Sequence, residues 1–159
     1  MSQRIYNYCI HLLARQDYSE FKLRQKLRSK PQNLPHEIDE AIEKIKANGL
    51  LREESYRRLF IRKWLMKGES EDKIRRRGSQ EELVFSSEEF ESAASELGLS
   101  SEDNIQKLIE KKLRMKEIPK DRESYYKLRE KTLRFLISKG HSYDEAKTSL
   151  DTYLQELSQ

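Results

Sequence analysis

The chain has a single cysteine, Cys9, so no internal disulfide can form, and a lone thiol fits a reducing compartment. Only three prolines and five glycines punctuate 159 residues. That is too little turn chemistry for a sheet with many hairpins, and no alternating strand pattern of useful length occurs. No apolar run approaches the ~20 residues needed to span a bilayer. The opening Met-Ser-Gln-Arg leads into a polar-interrupted helix rather than a signal peptide. The expectation is a soluble cytoplasmic protein. The phosphate loop Gly-x-x-x-x-Gly-Lys is missing. His11, His36 and His141 lie far apart without repeating metal-ligand spacing, so they read as scattered surface residues and no metal site is expected. Cys9 falls on an apolar helical stripe, which favours a packed thiol over a nucleophile. The Glu88/Glu89 pair sits in a helix first turn, where the macrodipole accounts for it. Nothing argues for an enzyme or a cofactor.

Charge is what the chain has in quantity. Charged residues make up 38% and hydrophobic ones 35%, which suits solvated helices around a thin core. The net charge of +4 hides an asymmetry: residues 1–78 hold 19 Lys/Arg against 11 Asp/Glu, and the remainder holds 13 against 17. No cation lies between Arg77 and Lys107, an interval with eight carboxylates. A basic half favours an anionic partner, either nucleic acid or an acidic protein surface.

Apolar residues recur at helical spacing throughout. Ile5, Tyr8, Cys9, Leu12 and Leu13 mark a first helix ending near Arg15. A second helix starts at Asp17 or Ser19, both cap residues, with Phe21, Leu23 and Leu27 on its apolar side. Ile38, Ala41, Ile42 and Ile45 mark a third, stopped at Asn48-Gly49 with Leu50 folding back as the apolar contact. A second unit opens near Arg52. Its first helix carries Tyr56, Leu59, Phe60 and Trp64 along one side, read as core. Ser70–Arg77 begins the next helix, with Ile74 inward, and Gly78 interrupts or ends it. Ser86-Ser87-Glu88-Glu89 is a capping box before Phe90, Ala93, Ala94 and Leu97, with a second stop at Gly98-Leu99. A third unit follows with stripes Ile105–Leu108–Ile109–Leu113, Tyr125–Leu128–Thr132–Phe135–Leu136 and Ala146–Leu150–Tyr153–Leu154. The last helix is preceded by the box Ser142–Glu145. The reading is all-α: nine helices in three tandem three-helix repeats, roughly residues 4–50, 51–98 and 99–157, forming an elongated curved array.

The candidate binding residues are two basic clusters. Lys22, Arg24, Lys26, Arg28 and Lys30 cover the solvated surface of the second helix. Arg57, Arg58, Arg62, Lys63, Lys67, Lys73, Arg75, Arg76 and Arg77 crowd the middle unit. Arginine forks suit phosphates and carboxylates alike.

The stretch Ala14-Arg15-Gln16-Asp17-Tyr18-Ser19-Glu20-Phe21-Lys22-Leu23-Arg24-Gln25-Lys26-Leu27 resembles the opening motif of the RecX family of regulatory proteins. In order along the chain, Gly49-Leu50-Leu51 with Glu53-Glu54-Ser55-Tyr56 and Phe60 also match. So do Lys67-Gly68 before Lys73-Ile74-Arg75, and Leu133-Arg134-Phe135-Leu136 with Lys139-Gly140 before Ser142-Tyr143. The resemblance implies a monomeric negative modulator of RecA in DNA repair, homologous recombination and the SOS response. Such a protein binds the RecA–DNA filament, limits its growth, ATP hydrolysis and strand exchange, and touches DNA weakly. It also implies that the two basic clusters face the filament. The chain departs from the family pattern at Lys22, at Glu69-Ser70-Glu71, at Gly78-Ser79 and in the acidic run Glu81–Asp103. The alternative is an independent helical nucleic-acid-binding protein of transcriptional-regulator type. It would show tight, steeply salt-dependent binding to DNA alone.

Overall fold

The computed structural model describes residues 3–159. Among them are nine α-helices and no strand: α1 Gln3–Arg15, α2 Glu20–Arg28, α3 Pro35–Ala47, α4 Glu53–Met66, α5 Glu71–Ser79, α6 Ser87–Leu97, α7 Ser101–Leu113, α8 Arg122–Ser138 and α9 Tyr143–Leu157. The chain divides into two compact units, Met1–Phe60 with Ser79–Val84, and Ile61–Gly78 with Phe85–Gln159.

In the first unit the apolar stripes close on one another as their spacing predicts. Ile5, Cys9, Leu12 and Leu13 of α1 meet Leu23 and Leu27 of α2 and Ile38, Ala41, Ile42 and Ile45 of α3. Burial raises the Cys9 thiol to about 11, despite a backbone hydrogen bond that pulls it down. Ser19, not Asp17, caps α2: its Oγ accepts from the Lys22 N–H at 3.1 Å, while Asp17 pairs with Arg52 at 3.4 Å. The Glu53 carboxylate accepts from the Glu20 N–H at 2.7 Å, so a residue from α4 satisfies a second orphan donor of α2. Buried Asn33 fixes the α2–α3 turn, donating to the Leu27 carbonyl at 2.9 Å and accepting from Arg4 at 3.0 Å. The stop after α3 forms, with Leu50 N–H bonded to the Ile45 carbonyl. Its apolar contact is misassigned, however: Leu50 is exposed and Leu51 packs on the core instead.

The second unit has its main core where α7, α8 and α9 meet, built from Ile105, Leu108, Ile109, Leu113, Leu133, Leu136, Ala146, Leu150 and Leu154. Tyr125, Leu128, Phe135 and Tyr153 pack around it. The box before α6 forms with both its bonds, and Ser100 with Asp103 makes another before α7. Ser142 caps α9 by accepting from the Glu145 N–H at 3.2 Å. Gly78 lies within the last turn of α5 rather than cutting it. Its missing side chain makes room for the Phe85 ring, which a Cβ would overlap.

The turn Gly68-Glu69-Ser70 between α4 and α5 is where this unit is tied together. The Ser70 N–H donates to the Lys139 carbonyl at 2.9 Å, and Asn104 donates to the Glu69 carbonyl at 3.2 Å. His141, expected at the surface, is 4% exposed, and its Nε2 donates to the Gly68 carbonyl at 2.8 Å. A buried imidazole needs a partner, and this carbonyl supplies one. Gly68 has φ +86° with the Leu108 side chain against its α-carbon, and Gly140 has φ +92° against Ser70 and Lys73. Both positions exclude a side chain twice over, by backbone conformation and by space.

Candidate functional site

The fourteen predicted cations are not one surface of equivalent charges. In α2, Lys22 pairs with Glu81 at 3.0 Å, and Arg24 is shared between Glu20 at 3.1 Å and Asp39 at 2.5 Å. Lys30 lies 4.2 Å from the Tyr8 ring centroid. Lys26 and Arg28 are exposed and have no ion pair among the described residues. They stand on the helix flank that Leu23 and Leu27 leave to solvent. Between α2 and α4, within the first unit, Tyr18, Lys22, Gln25, Lys26, Ser29 and Tyr56 line a groove of about 520 Å³. Burial, reinforced by Glu81 at 3.3 Å, raises the Tyr56 phenol to about 12, so it remains a donor. That phenol donates to Glu81, and the Ser29 hydroxyl donates to the Lys26 carbonyl, so the groove offers chiefly the Lys26 ammonium and the Gln25 amide to phosphate or carboxylate oxygens.

On α4, Arg58 is exposed and Arg57 half-buried. In the second unit Arg62 pairs with Glu96 at 3.2 Å. Lys63, Lys67 and Arg77 converge on the Trp64 ring, at 4.8, 4.7 and 3.7 Å from its centroid. Arg77 also grips Glu69 through two bonds of 2.6 Å, and Lys73 approaches Glu69 at 3.5 Å while donating to the Ser138 carbonyl at 2.5 Å. Burial pushes the Glu69 carboxyl up, but hydrogen bonds and charge from Arg77 and Lys73 outweigh it and hold the group below its ordinary value. Arg75 pairs with Glu71 at 3.0 Å, donates to the Phe85 carbonyl at 2.5 Å and covers the Phe90 ring. Arg76 is exposed.

Six predicted cations, Lys22, Arg24, Arg62, Lys73, Arg75 and Arg77, thus hold the chain's own carboxylates. Lys26, Arg28, Arg58, Lys63, Lys67 and Arg76 are exposed and form no ion pair among the described residues, although Lys63 and Lys67 rest against Trp64. The aromatic stripe of α4 is displaced from the expectation. Ile61 and Leu65 are its buried residues, Tyr56, Phe60 and Trp64 are half-buried at its border, and Leu59 is 51% exposed. Sequence reasoning missed Glu69 as the anchor of Arg77 and Lys73. The i, i+4 spacing to Lys73 and the helix-turn spacing to Arg77 were available as signals. Among the described residues no group of three or more His, Cys, Asp or Glu is placed to hold a metal ion, and no helix is long and apolar enough to cross a membrane.

Comparison with known proteins bears on what this arrangement serves. Residues 6–44 match the family model for the first three-helix domain of RecX, and residues 100–149 match that for its third three-helix domain. The regulatory protein RecX of Haemophilus influenzae strain PittEE is 28% identical over 145 residues, covering 91% of each chain; that of strain KW20 / Rd aligns to the same extent. The fold is similar to the crystal structure of RecX from Lactobacillus salivarius, with TM-score 0.62, 22% identity and coverage of 98% of this chain and 95% of that one. A second crystal structure of a regulatory protein RecX gives TM-score 0.66 at 16% identity, covering 93% of this chain and 70% of the other.

Proposed function

The chain belongs to the RecX family of regulatory proteins, and from that premise we propose that it is a negative regulator of the RecA recombinase. In this reading it binds the RecA–DNA filament and limits its growth, ATP hydrolysis and strand exchange, and so regulates recombination and repair. The observation that carries the reading is the pair of family matches, one at each end of the chain and in family order. Residues 4–50, 51–98 and 99–157 act as three tandem units, with the matches falling in the first and third.

The fourteen cations then divide by task. Those that grip Glu69, Glu71, Glu81, Glu96, Asp39 and Glu20 keep the units in shape. Lys26, Arg28, Arg58, Lys63, Lys67 and Arg76 are available to the filament, whose phosphates and acidic protein surface attract them over about a Debye length. Exposed cations contribute mainly to encounter rate and register rather than to raw affinity. Inhibition is accordingly expected to weaken as ionic strength rises.

The test is RecA ATP hydrolysis on single-stranded DNA with this protein titrated in. A fall in rate well below one copy per RecA supports the reading, and points to blocked growth rather than sequestered DNA. An unchanged rate at several copies per RecA refutes it.

A further inference from the structure

The second unit carries a groove that the basic clusters do not account for. It has a volume of about 300 Å³, and Leu65, Met66, Leu97 and Leu99 form its walls. Leu108 also lines it, its side chain occupying the space that a Cβ on Gly68 would need. Leu65 and Leu108 are nearly buried, whereas Met66 is 69% exposed and stands open at the mouth.

The rim is cationic. Lys67 directly follows α4, and Lys107 and Lys111 lie one turn apart on α7. No carboxylate lines the groove, and neither Lys107 nor Lys111 forms an ion pair among the described residues. Lys107 stands one turn after Asp103, whose carboxyl is held low by its hydrogen bonds from Ser100 and also by the Lys107 charge, but that carboxylate lies outside the groove lining.

From these features we infer that the groove is a docking site for an acidic peptide segment of a partner protein, one that presents large apolar side chains flanked by carboxylates. Charge complementarity and the apolar walls each exclude a simpler occupant. A phosphate backbone would satisfy the lysines but leave the leucine walls wet. An uncharged apolar segment would fill the walls but strip water from three ammonium groups without pairing them. A segment with both kinds of group desolvates the walls and pairs the rim together, the arrangement of an apolar centre and polar border found in peptide grooves. The flexible Met66 side chain adapts the mouth to the side chain that enters.

The inference does not rest on the filament reading, because it is tested on the free chain with no recombinase present. The probe is a fluorescein-labelled twelve-residue peptide of Glu and Asp around a central Leu-Phe, followed by anisotropy. Trp64, whose ring lies against Lys67, gives a second, label-free signal. Two control peptides replace the carboxylates by Lys, or the Leu-Phe by Ser-Ser. The expected result is binding at least tenfold tighter than to either control. Lys107→Glu with Lys111→Glu should weaken it at least tenfold, Met66→Ser by about threefold or more, and Lys107→Gln with Lys111→Gln by an intermediate factor. Far-UV circular dichroism should be unchanged, since all of these side chains are exposed. Equal binding of the three peptides, or binding insensitive to the lysine variants, overturns the proposal. So does displacement of the peptide from the groove by an oligo-dT strand that itself depends on Lys107 and Lys111.

Discussion

Replacing Glu69 by Gln removes one charge and almost no volume from the best-connected turn of the second unit. In the native chain this carboxylate is 2% exposed and accepts two bonds of 2.6 Å from Arg77, with Lys73 at 3.5 Å. A hydrogen bond to a charged group contributes about 1.5–3 kcal/mol. Two would give roughly 3–6, but the Arg77 and Lys73 side chains are 35% and 27% exposed, so water recovers part of their solvation. The expected loss is therefore about 2–3 kcal/mol. Trp64, the only tryptophan, touches Arg77 and reports on this unit directly. With a urea dependence of about 1–3 kcal/mol/M, its unfolding midpoint should fall by about 0.7–3 M at pH 7. The pH dependence supplies a sharper check. A carboxyl whose folded value lies below its unfolded value of about 4.3 contributes stability above that pH, and loses it as pH falls through the folded value. The gap between wild type and Glu69→Gln should thus be full at neutral pH and close in acid. A midpoint within about 0.3 M of wild type at pH 7, or a gap that persists undiminished at pH 3, would refute the reasoning.

Other expectations follow from the same contacts. Gly68→Ala forces a side chain into a left-handed position against Leu108 and should cost about 2–4 kcal/mol, read by the same urea titration. Ser19→Ala removes the α2 cap and should cost about 1 kcal/mol, lowering the helical signal of the first unit. Cys9, buried and raised to about 11, should resist iodoacetamide at pH 8 in the folded chain and react fully in urea; rapid modification without denaturant would show that the first core opens readily. Lys26→Glu with Arg28→Glu should leave stability within about 0.5 kcal/mol of wild type and weaken inhibition of RecA ATP hydrolysis, whereas Arg24→Glu should lower stability, since Arg24 already holds Glu20 and Asp39.

The helices were legible because they rest on local chemistry. Stripes at three- and four-residue spacing and Ser caps followed three residues later by Glu or Asp fall where the structure has them. What sequence could not resolve depends on long-range packing. Ser19 and Asp17 are equal candidates for a cap until Arg52 takes one of them. The α4 stripe shifts by one position because Ile61 and Leu65 face the core while the larger aromatics settle at its border. His141 looks like a surface residue until the Gly68 carbonyl, 73 positions away, is found beside it. The basic clusters were legible as charge but not as availability. Whether a cation is spent on the chain's own carboxylate is decided by tertiary pairing, as Arg24, Arg62 and Arg77 illustrate.

The most direct measurement of the central claim is the elongation rate of individual fluorescent RecA filaments on DNA, with and without this protein at a small fraction of the RecA concentration. The account predicts that elongation slows or stops, less so with Lys26→Glu/Arg28→Glu and less so at higher salt. Unchanged elongation, together with tight and steeply salt-dependent binding to bare DNA, would contradict it and make this a DNA-binding protein in its own right.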